Sequence, residues 1–433
     1  MVAPVRGISP ALASFWVLAI TAVSVGAEAT IETVAQVAPD AFAGGASDLA
    51  LAADGSGRLW ATTDRGPNGS TKVGGKKLRT LLDPAFVPTI VEWHLQPAGS
   101  PGKPGTLTVV RQMKLAGRSG TPLSGRPNGV GRDEPILDAS SGSPVAGDPN
   151  GVDTEGIVQM KDGSFWMVEE YRPSLLHVSA EGRVLERIVP EGVSLPGADA
   201  EVHDSLPAAY GSRRDNRGFE SIALSPDGSR LWTLLQSPLE NGEPKEVAKA
   251  GNVRLLAFDP AAVKPVAEHL YRLGDPAAPD YLTKGAAPDD GKLCALAMID
   301  ADSLLTIEST DGGLAQLYRI DLAGATNTLV RTPPASEAPL DAIRDLAAAG
   351  IKPVAKTLVA DLASLVPAMR RDVYGEEGAA GDAPLKLEGM VILGPDRVAL
   401  CNDNDFGVNV KPGATCRSCL WVIRLPVPLR SEP

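Results

Sequence analysis

The 433-residue chain lacks an excess of positive charge. Its 41 Lys and Arg stand against 53 Asp and Glu, a formal net charge of −12. That excludes a nucleic-acid partner, because tracking a phosphate backbone needs basic patches. Cysteine is scarce: Cys294, Cys401, Cys416 and Cys419 are all there is. A lone Cys416-x-x-Cys419, with no second such pair and no pair of histidines, does not make a zinc site. The four are read as structural thiols or as disulfides, with Cys416 bridging to Cys419 or to the other two. Histidine is equally scarce. His94 and His177 fall in apolar strand patterns, and only His203, read as a loop residue, is kept as a candidate acid/base or ligand. There is no G-x-S-x-G elbow, no P-loop and no H-E-x-x-H, which removes the corresponding hydrolase, nucleotide and zincin chemistries. Beyond the N-terminal region no apolar run is long enough to cross a bilayer.

What is present begins with that region. Arg6 precedes the uncharged run Ala11 to Val25, and the small residues Gly26-Ala27-Glu28-Ala29 follow. This is the pattern of a secretory signal cleaved after Ala27 or Ala29. The expectation is a signal over residues 1–28, one domain over 29–433, and a monomer in the periplasm or outside the cell. The 45 Gly and 37 Pro argue against a helical protein, and 43% hydrophobic residues argue for a packed core.

Four segments share one pattern: an apolar strand, a turn, then a second apolar strand. They run from Ser47-Asp48-Leu49-Ala50 to Leu59-Trp60, from Thr154-Glu155-Gly156-Ile157 to Phe165-Trp166, from Phe219-Glu220-Ser221-Ile222 to Leu231-Trp232, and from Leu387-Glu388-Gly389-Met390 to Val398-Ala399. A weaker fifth copy runs from Leu293-Cys294-Ala295-Leu296 to Leu304-Leu305. The turns Asp54-Gly55, Asp162-Gly163 and Asp227-Gly228 are hairpin signals. Further strands follow each hairpin. The fold expected is all-β: a β-propeller of five to six four-stranded blades with long loop insertions on one face, closed by a strand around Ile31 to Val37. The insertions are Gly117 to Gly151, Ser194 to Asp215 and Pro333 to Pro384, the last with a short helix over Leu340 to Ala349.

Each repeat places an acid near the start of its first strand (Asp48, Glu155, Glu220, Glu388) and most place another after the second strand (Asp64, Glu169 and Glu170, Glu308, Asp403 and Asp405). A hairpin returns the chain to the end it left, so both sets lie around one mouth. Carboxylates in that number need bound cations or protons. The candidate metal set is therefore Asp48, Asp64, Glu155, Glu170, Glu220, Glu308, Glu388, Asp403 and Asp405, with Asn68, Asn216, Asn402 and Asn404 adding neutral oxygens. Oxygen-only ligands suit a divalent cation of the Ca²⁺ or Mg²⁺ kind, and Ca²⁺ is favoured. Glu155, Glu220, Glu388 and Asp403 are the candidate catalytic residues. Arg65, Arg172, Arg217 and Asn216 are the candidates for holding a small anionic substrate. The recurring Trp60, Trp166 and Trp232 read as core.

The chain resembles the phytase-like domain family, also described as esterase-like activity of phytase. The matching stretches are Asp48-Leu49 with Thr63-Asp64-Arg65-Gly66, Asp153-Thr154-Glu155-Gly156 with Glu169-Glu170-Tyr171-Arg172-Pro173-Ser174-Leu175, Asn216-Arg217-Gly218-Phe219-Glu220, Gln236-Ser237-Pro238-Leu239, and Glu388-Gly389 with Asn402-Asp403-Asn404-Asp405-Phe406-Gly407. They cover nearly the whole mature chain in order. Arg172 stands where the family pattern has Gly. The resemblance implies an exported bacterial protein that hydrolyses phosphoric esters or phosphodiesters. Two alternatives stand beside it: a non-catalytic propeller that binds a ligand or partner, and a Ca²⁺-dependent propeller of the lactonase type.

Overall fold

A computed structural model describes residues 28–38, 41–42, 44–96, 104–129, 135–274, 291–310, 315–334, 336–375, 385–408, 410–411 and 414–430. The signal region read at residues 1–28 lies, apart from Glu28, outside the described residues. The architecture is a five-bladed β-propeller. The chain opens with β1 (Thr30–Val37). Blade I is β2 (Ala46–Leu51), β3 (Leu59–Thr63), then, after an inserted hairpin β4 (Asn68–Val73) and β5 (Lys76–Leu81), β6 (Thr89–Gln96) and β7 (Gly105–Lys114). A short β8 (Ile136–Asp138) pairs with β5. Blade II is β9 (Thr154–Gln159), β10 (Phe165–Glu169), β11 (Ser174–Val178) and β12 (Val184–Pro190), with β13 (Glu201–Leu206) added in parallel at its edge. Blade III is β14 (Phe219–Leu224), β15 (Leu231–Leu235), β16 (Asn252–Asp259) and β17 (Lys264–Arg272), with α1 (Pro244–Ala250) inserted. Blade IV is β18 (Lys292–Met298), β19 (Ser303–Ser309), β20 (Ala315–Asp321) and β21 (Ala355–Asp361). After α2 (Val366–Tyr374), blade V is β22 (Lys386–Gly394), β23 (Arg397–Asp403) and β24 (Cys419–Arg424). Its fourth strand is β1, which pairs antiparallel with β24, so the start of the chain closes the ring at its end. The same strand also pairs in parallel with β7, joining blades V and I into one eight-stranded sheet.

The innermost strands touch in the cyclic order β2, β9, β14, β18, β22 and back to β2. Successive residues of a strand face opposite sides, so each blade feeds two inter-blade cores. In blade II, Ile157, Phe165 and Met167 pack against Ala50, Trp60 and Ile90 of blade I. The alternate residues Val158, Trp166 and Val168 pack against Ile222 and Trp232 of blade III. Both faces are covered, which is why the strands read as nearly continuous apolar runs; each fully buried Leu or Ile stabilises by about 1.5–3 kcal/mol. The hairpin turns form as their Asp-Gly pairs require. Asp54, Asp162 and Asp227 each accept the backbone N–H two residues on, at 2.9, 3.0 and 3.0 Å, while the glycine between takes positive φ.

Two sequence expectations change here, and a third is decided between its alternatives. Residues 340–349 are not a helix beyond one 3-10 turn, Leu340–Ala342. The Asn252 amide donates to the carbonyls of Leu340 and Ile343, both at 2.8 Å, and so takes acceptors that a helix would use itself. His203 is a strand residue on β13, its Nε2 3.3 Å from Glu186 at the edge of blade II. The four cysteines are free thiols. Among the described residues no helix is long and apolar enough to cross a membrane.

Candidate functional site

Every first strand carries a β-bulge at the same height. The pairing skips between Ala46 and Asp48, between Thr154 and Gly156, between Phe219 and Ser221, between Leu293 and Leu296, and between Leu387 and Gly389. The skipped residues are Ser47, Glu155, Glu220, Cys294 with Ala295, and Glu388. A bulge bends its strand and re-aims a side chain, and bulges concentrate beside functional sites. Two flanking positions complete the set. Two residues before the bulge stand Gly45, Asp153, Gly218, Lys292 and Lys386. At the exit of the second strand stand Asp64, Glu170, Gln236, Ser309 and Asp403. Each blade thus offers the mouth an entry, a bulge and an exit residue. Gly218 is needed at its entry position, because a Cβ there would lie 2.3 Å from the Glu170 carbonyl oxygen of the neighbouring blade.

Nine of these positions, the entries Lys292 and Lys386, the bulge glutamates Glu155, Glu220 and Glu388 and the exits Asp64, Glu170, Gln236 and Asp403, line a cavity of about 650 Å³. Its wall includes seven carboxyl groups, Asp64, Glu155, Glu170, Glu220, Glu388, Asp403 and Asp405, and five cations, Arg65, Lys77, Arg79, Lys292 and Lys386. Asn216 and Gln236 add amides. Of the candidates read from the sequence, this brings together all four assigned to catalysis, and Arg65 and Asn216 from the substrate set.

Six others lie off the wall. Asp48 sits one residue past the bulge position, and a one-residue step turns a side chain to the other face. Its Oδ2 accepts the N–H of Ile157 at 2.9 Å, a clamp on the next blade. Glu308 is one residue short of the exit position and shares its register with Glu169. Lys356 Nζ, Tyr271 Oη and the Gly274 N–H, each at 2.7 Å, satisfy it inside the protein. Arg172 is buried with its N–H on Glu169 at 3.0 Å. Arg217 is half-buried and bonded to Gln236. Asn402 and Asn404 are also spent on backbone, accepting the N–H of Cys419 at 2.8 Å and of Gly45 at 2.9 Å. The metal set read from the sequence thus loses Asp48 and Glu308, and the substrate set loses Arg172 and Arg217.

Asp153, Lys292, Lys386, Lys77 and Arg79 were missed. The first three stand at i and i+2 with the bulge residue, a spacing that shares a strand face; the last two come from an insertion whose docking leaves no such signal.

The electrostatics divide the wall. Arg65 is buried, bonded to Asp153 and Asn216, 2.9 Å from Glu170 and 4.9 Å above the Tyr171 ring. Lys386 lies 3.0 Å from Asp403 and 2.5 Å from Asp405. Burial alone would lower its pKa, but Asp403, Glu388 and Asp405 hold it well above the usual lysine range. The glutamates of the bulges are less compensated. Burial first, then Asp153, Glu220, Glu170 and Glu388, push Glu155 well up. Glu388 is raised by burial against the opposing pull of Lys386. Burial and then Glu170 push Glu220 up to about 8, and its Oε2 is buried with no hydrogen-bond partner. Burial brings Asp403 to about 6. Carboxylate oxygens of Asp153, Glu155 and Glu170 lie within 4.8 Å of one another, a spacing that a metal ion can bridge.

The fold and site define a five-bladed propeller with an acid-rich, cation-flanked mouth. The chain belongs to the phytase-like family, described as esterase-like activity of phytase, which it matches over residues 42–406. A curated relative, an uncharacterized secreted protein of Arthroderma benhamiae, is 35% identical over 134 residues; that covers 28% of this chain and 26% of the relative, so the chain spans about a quarter of that protein. Among solved structures the chain is similar to a luciferin-regenerating enzyme (10% identity, 90% of this chain and 95% of that one, TM-score 0.34). It is also similar to the PQQ-bound aldose sugar dehydrogenase of Streptomyces coelicolor (12% identity, 92% and 99%, TM-score 0.33).

Proposed function

We propose that the chain is an exported hydrolase of phosphoric esters, phosphodiesters included, that works with a divalent cation, Ca²⁺ being favoured by the oxygen-only donors. One observation carries this reading: glutamates from the bulges of blades II, III and V line one cavity whose wall also holds cations. The residues fit a cation. Their carboxylates are raised by burial, and Glu220 Oε2 is buried without a partner. Glu155, whose carboxylate oxygens lie within 4.8 Å of those of Asp153 and Glu170, would hold the ion with them and with the unpartnered Glu220, while Arg65 keeps Asp153 and Glu170 in place and Glu388, Asp64 and Asp403 stand on the same wall. Bound there, a cation would polarise the ester oxygen and acidify a water molecule.

The chain's own residues supply the rest. Lys292, the entry residue of blade IV, receives the anionic group of the ester. Arg65 is tethered and keeps Glu170 and Asn216 in place rather than swinging to the substrate. Asp403, near 6, takes up the proton released on water attack at neutral pH. Family membership and the secreted relative support an exported enzyme, in line with the signal pattern at residues 1–28.

The test is turnover of phosphomonoesters, phosphodiesters, carboxylic esters and lactones by the purified mature chain, before and after EDTA and again with Ca²⁺. Phosphoester turnover that EDTA abolishes and Ca²⁺ restores is expected. Turnover of carboxylic esters or lactones alone replaces the substrate class. No turnover at all, with Ca²⁺ still raising the melting temperature, leaves a cation-binding propeller without catalysis.

A further inference from the structure

We infer that the β4–β5 hairpin is a specificity arm, whose Lys77 selects esters carrying a second anionic group beyond the scissile one. The chemistry rests on the hydrolase reading above; the selectivity rests on observations of its own. In a chain of net charge −12, residues 66–82 hold Lys72, Lys76, Lys77 and Arg79 and no acid. Blade I alone, among the described residues, has strands inserted between its second and third strands. The hairpin is fixed in place. β5 pairs with β8, and Leu81, Ile136 and Tyr171 pack together beneath it. Tyr171 in turn donates from Oη to the Gly125 carbonyl at 2.7 Å.

Lys77 and Arg79 stand at i and i+2 on β5, hence on one face, and both line the cavity. Arg79 donates to Asn68 Oδ1 at 2.8 Å. Lys77 makes no hydrogen bond or ion pair with any described residue, and it is exposed. It also stands directly opposite Lys72 in the hairpin register. Like charges in that position destabilise a strand pair, and an anion arriving at Lys77 relieves the repulsion. The carboxylates deeper in the mouth repel a second anion; Lys77, at the rim, is where such a group is stabilised.

The experiment compares phenyl phosphate with its 3- and 4-carboxyphenyl analogues as substrates of the Ca²⁺-loaded chain. In parallel, the non-hydrolysable phenylphosphonate and its 3- and 4-carboxy forms are titrated by calorimetry. At least one carboxylated compound is expected to be preferred over its parent in both. Lys77→Ala should reduce that preference about fivefold, the upper range for an exposed ion pair, Lys77→Glu should reverse it, and added salt should shrink it. Lys76→Ala, on the same hairpin but off the cavity wall, should leave the preference intact. A preference that survives Lys77→Ala, or that Lys76→Ala erases equally, overturns the arm, as does the absence of any preference. If no phosphate ester is turned over, the hydrolase reading falls while the phosphonate titrations still decide the arm.

Discussion

Blades II and IV share the same three backbone positions around the mouth and fill them with different chemistry. Blade II has Asp153, Glu155 and Glu170, of which Glu155 and Glu170 line the cavity; blade IV has Lys292, Cys294 and Ser309, of which Lys292 lines it. The two blades are not neighbours in the ring. In blade IV the bulge residue is a thiol 3.1 Å from the Ser309 hydroxyl, pushed up to about 12 by burial and then by Glu220 and Glu388, so it stays neutral. The bulge geometry is a property of the scaffold, and the charge is written onto it blade by blade. The mouth is therefore not a uniform acidic ring: blade II is an acidic pole and Lys292 of blade IV a cationic one.

The largest expected effect breaks the acidic pole. Glu155→Gln keeps the side-chain size and removes the charge, and it should lower kcat by on the order of 10²-fold or more, since cation-assisted polarisation of an ester is worth several kcal/mol. Steady-state kinetics checks this, and a small effect would move the ion off blade II. Next, Lys292→Ala attacks the opposite pole. KM should rise roughly tenfold, the low end for a hydrogen bond to a charged group, while Ca²⁺ affinity, measured by calorimetry, should not weaken. A fall in Ca²⁺ affinity would mean that the two poles are not separable.

The smallest effect sharpens the comparison through pH. Glu220 titrates near 8 in the folded chain against an ordinary 4.5, so the native state binds more protons than the unfolded state between those values. Stability of the chelated protein is then full below about 4.5 and falls as pH rises towards 8. Ca²⁺ should flatten this decline, and its affinity should strengthen over the same window, because it displaces the proton. Melting curves across pH with EDTA or with Ca²⁺ test both; a chelated protein that grows more stable from pH 5 to 8 would contradict the assignment.

The architecture was legible because its signals are local. Asp54-Gly55, Asp162-Gly163 and Asp227-Gly228 mark hairpins that need no tertiary information, and the recurring Trp60, Trp166 and Trp232 mark one buried position, at 5%, 2% and 8% exposure. Pairing of β1 with β24 was legible too, from an unclaimed strand at the start of the chain. Register was not. Aligning Asp48 with Glu155 is natural by residue type, but the bulge makes Ser47 the equivalent, and the same one-residue slip put Glu308 in place of Ser309. A bulge adds one residue without altering the apolar pattern, so a sequence does not announce it. Nor does it announce which acids are spoken for internally. Arg65 is distant in sequence from Asp153 and Glu170, which it neutralises, and that pairing decides what charge remains for an ion.

The strand that closes the ring has a consequence for how the molecule comes into being. Among the described strands β1 is made first, and its antiparallel partner β24 is made last. Until then blade V is only the hairpin of β22 and β23 with an open edge, and β1 has nothing to join but β7. Contacts of such sequence separation make for slow folding, and the waiting edge is a template for another chain. A nascent or freshly translocated copy is thus vulnerable to aggregation until β24 is in place, and loss of Cys419–Arg424 would leave the first strand without its antiparallel seat.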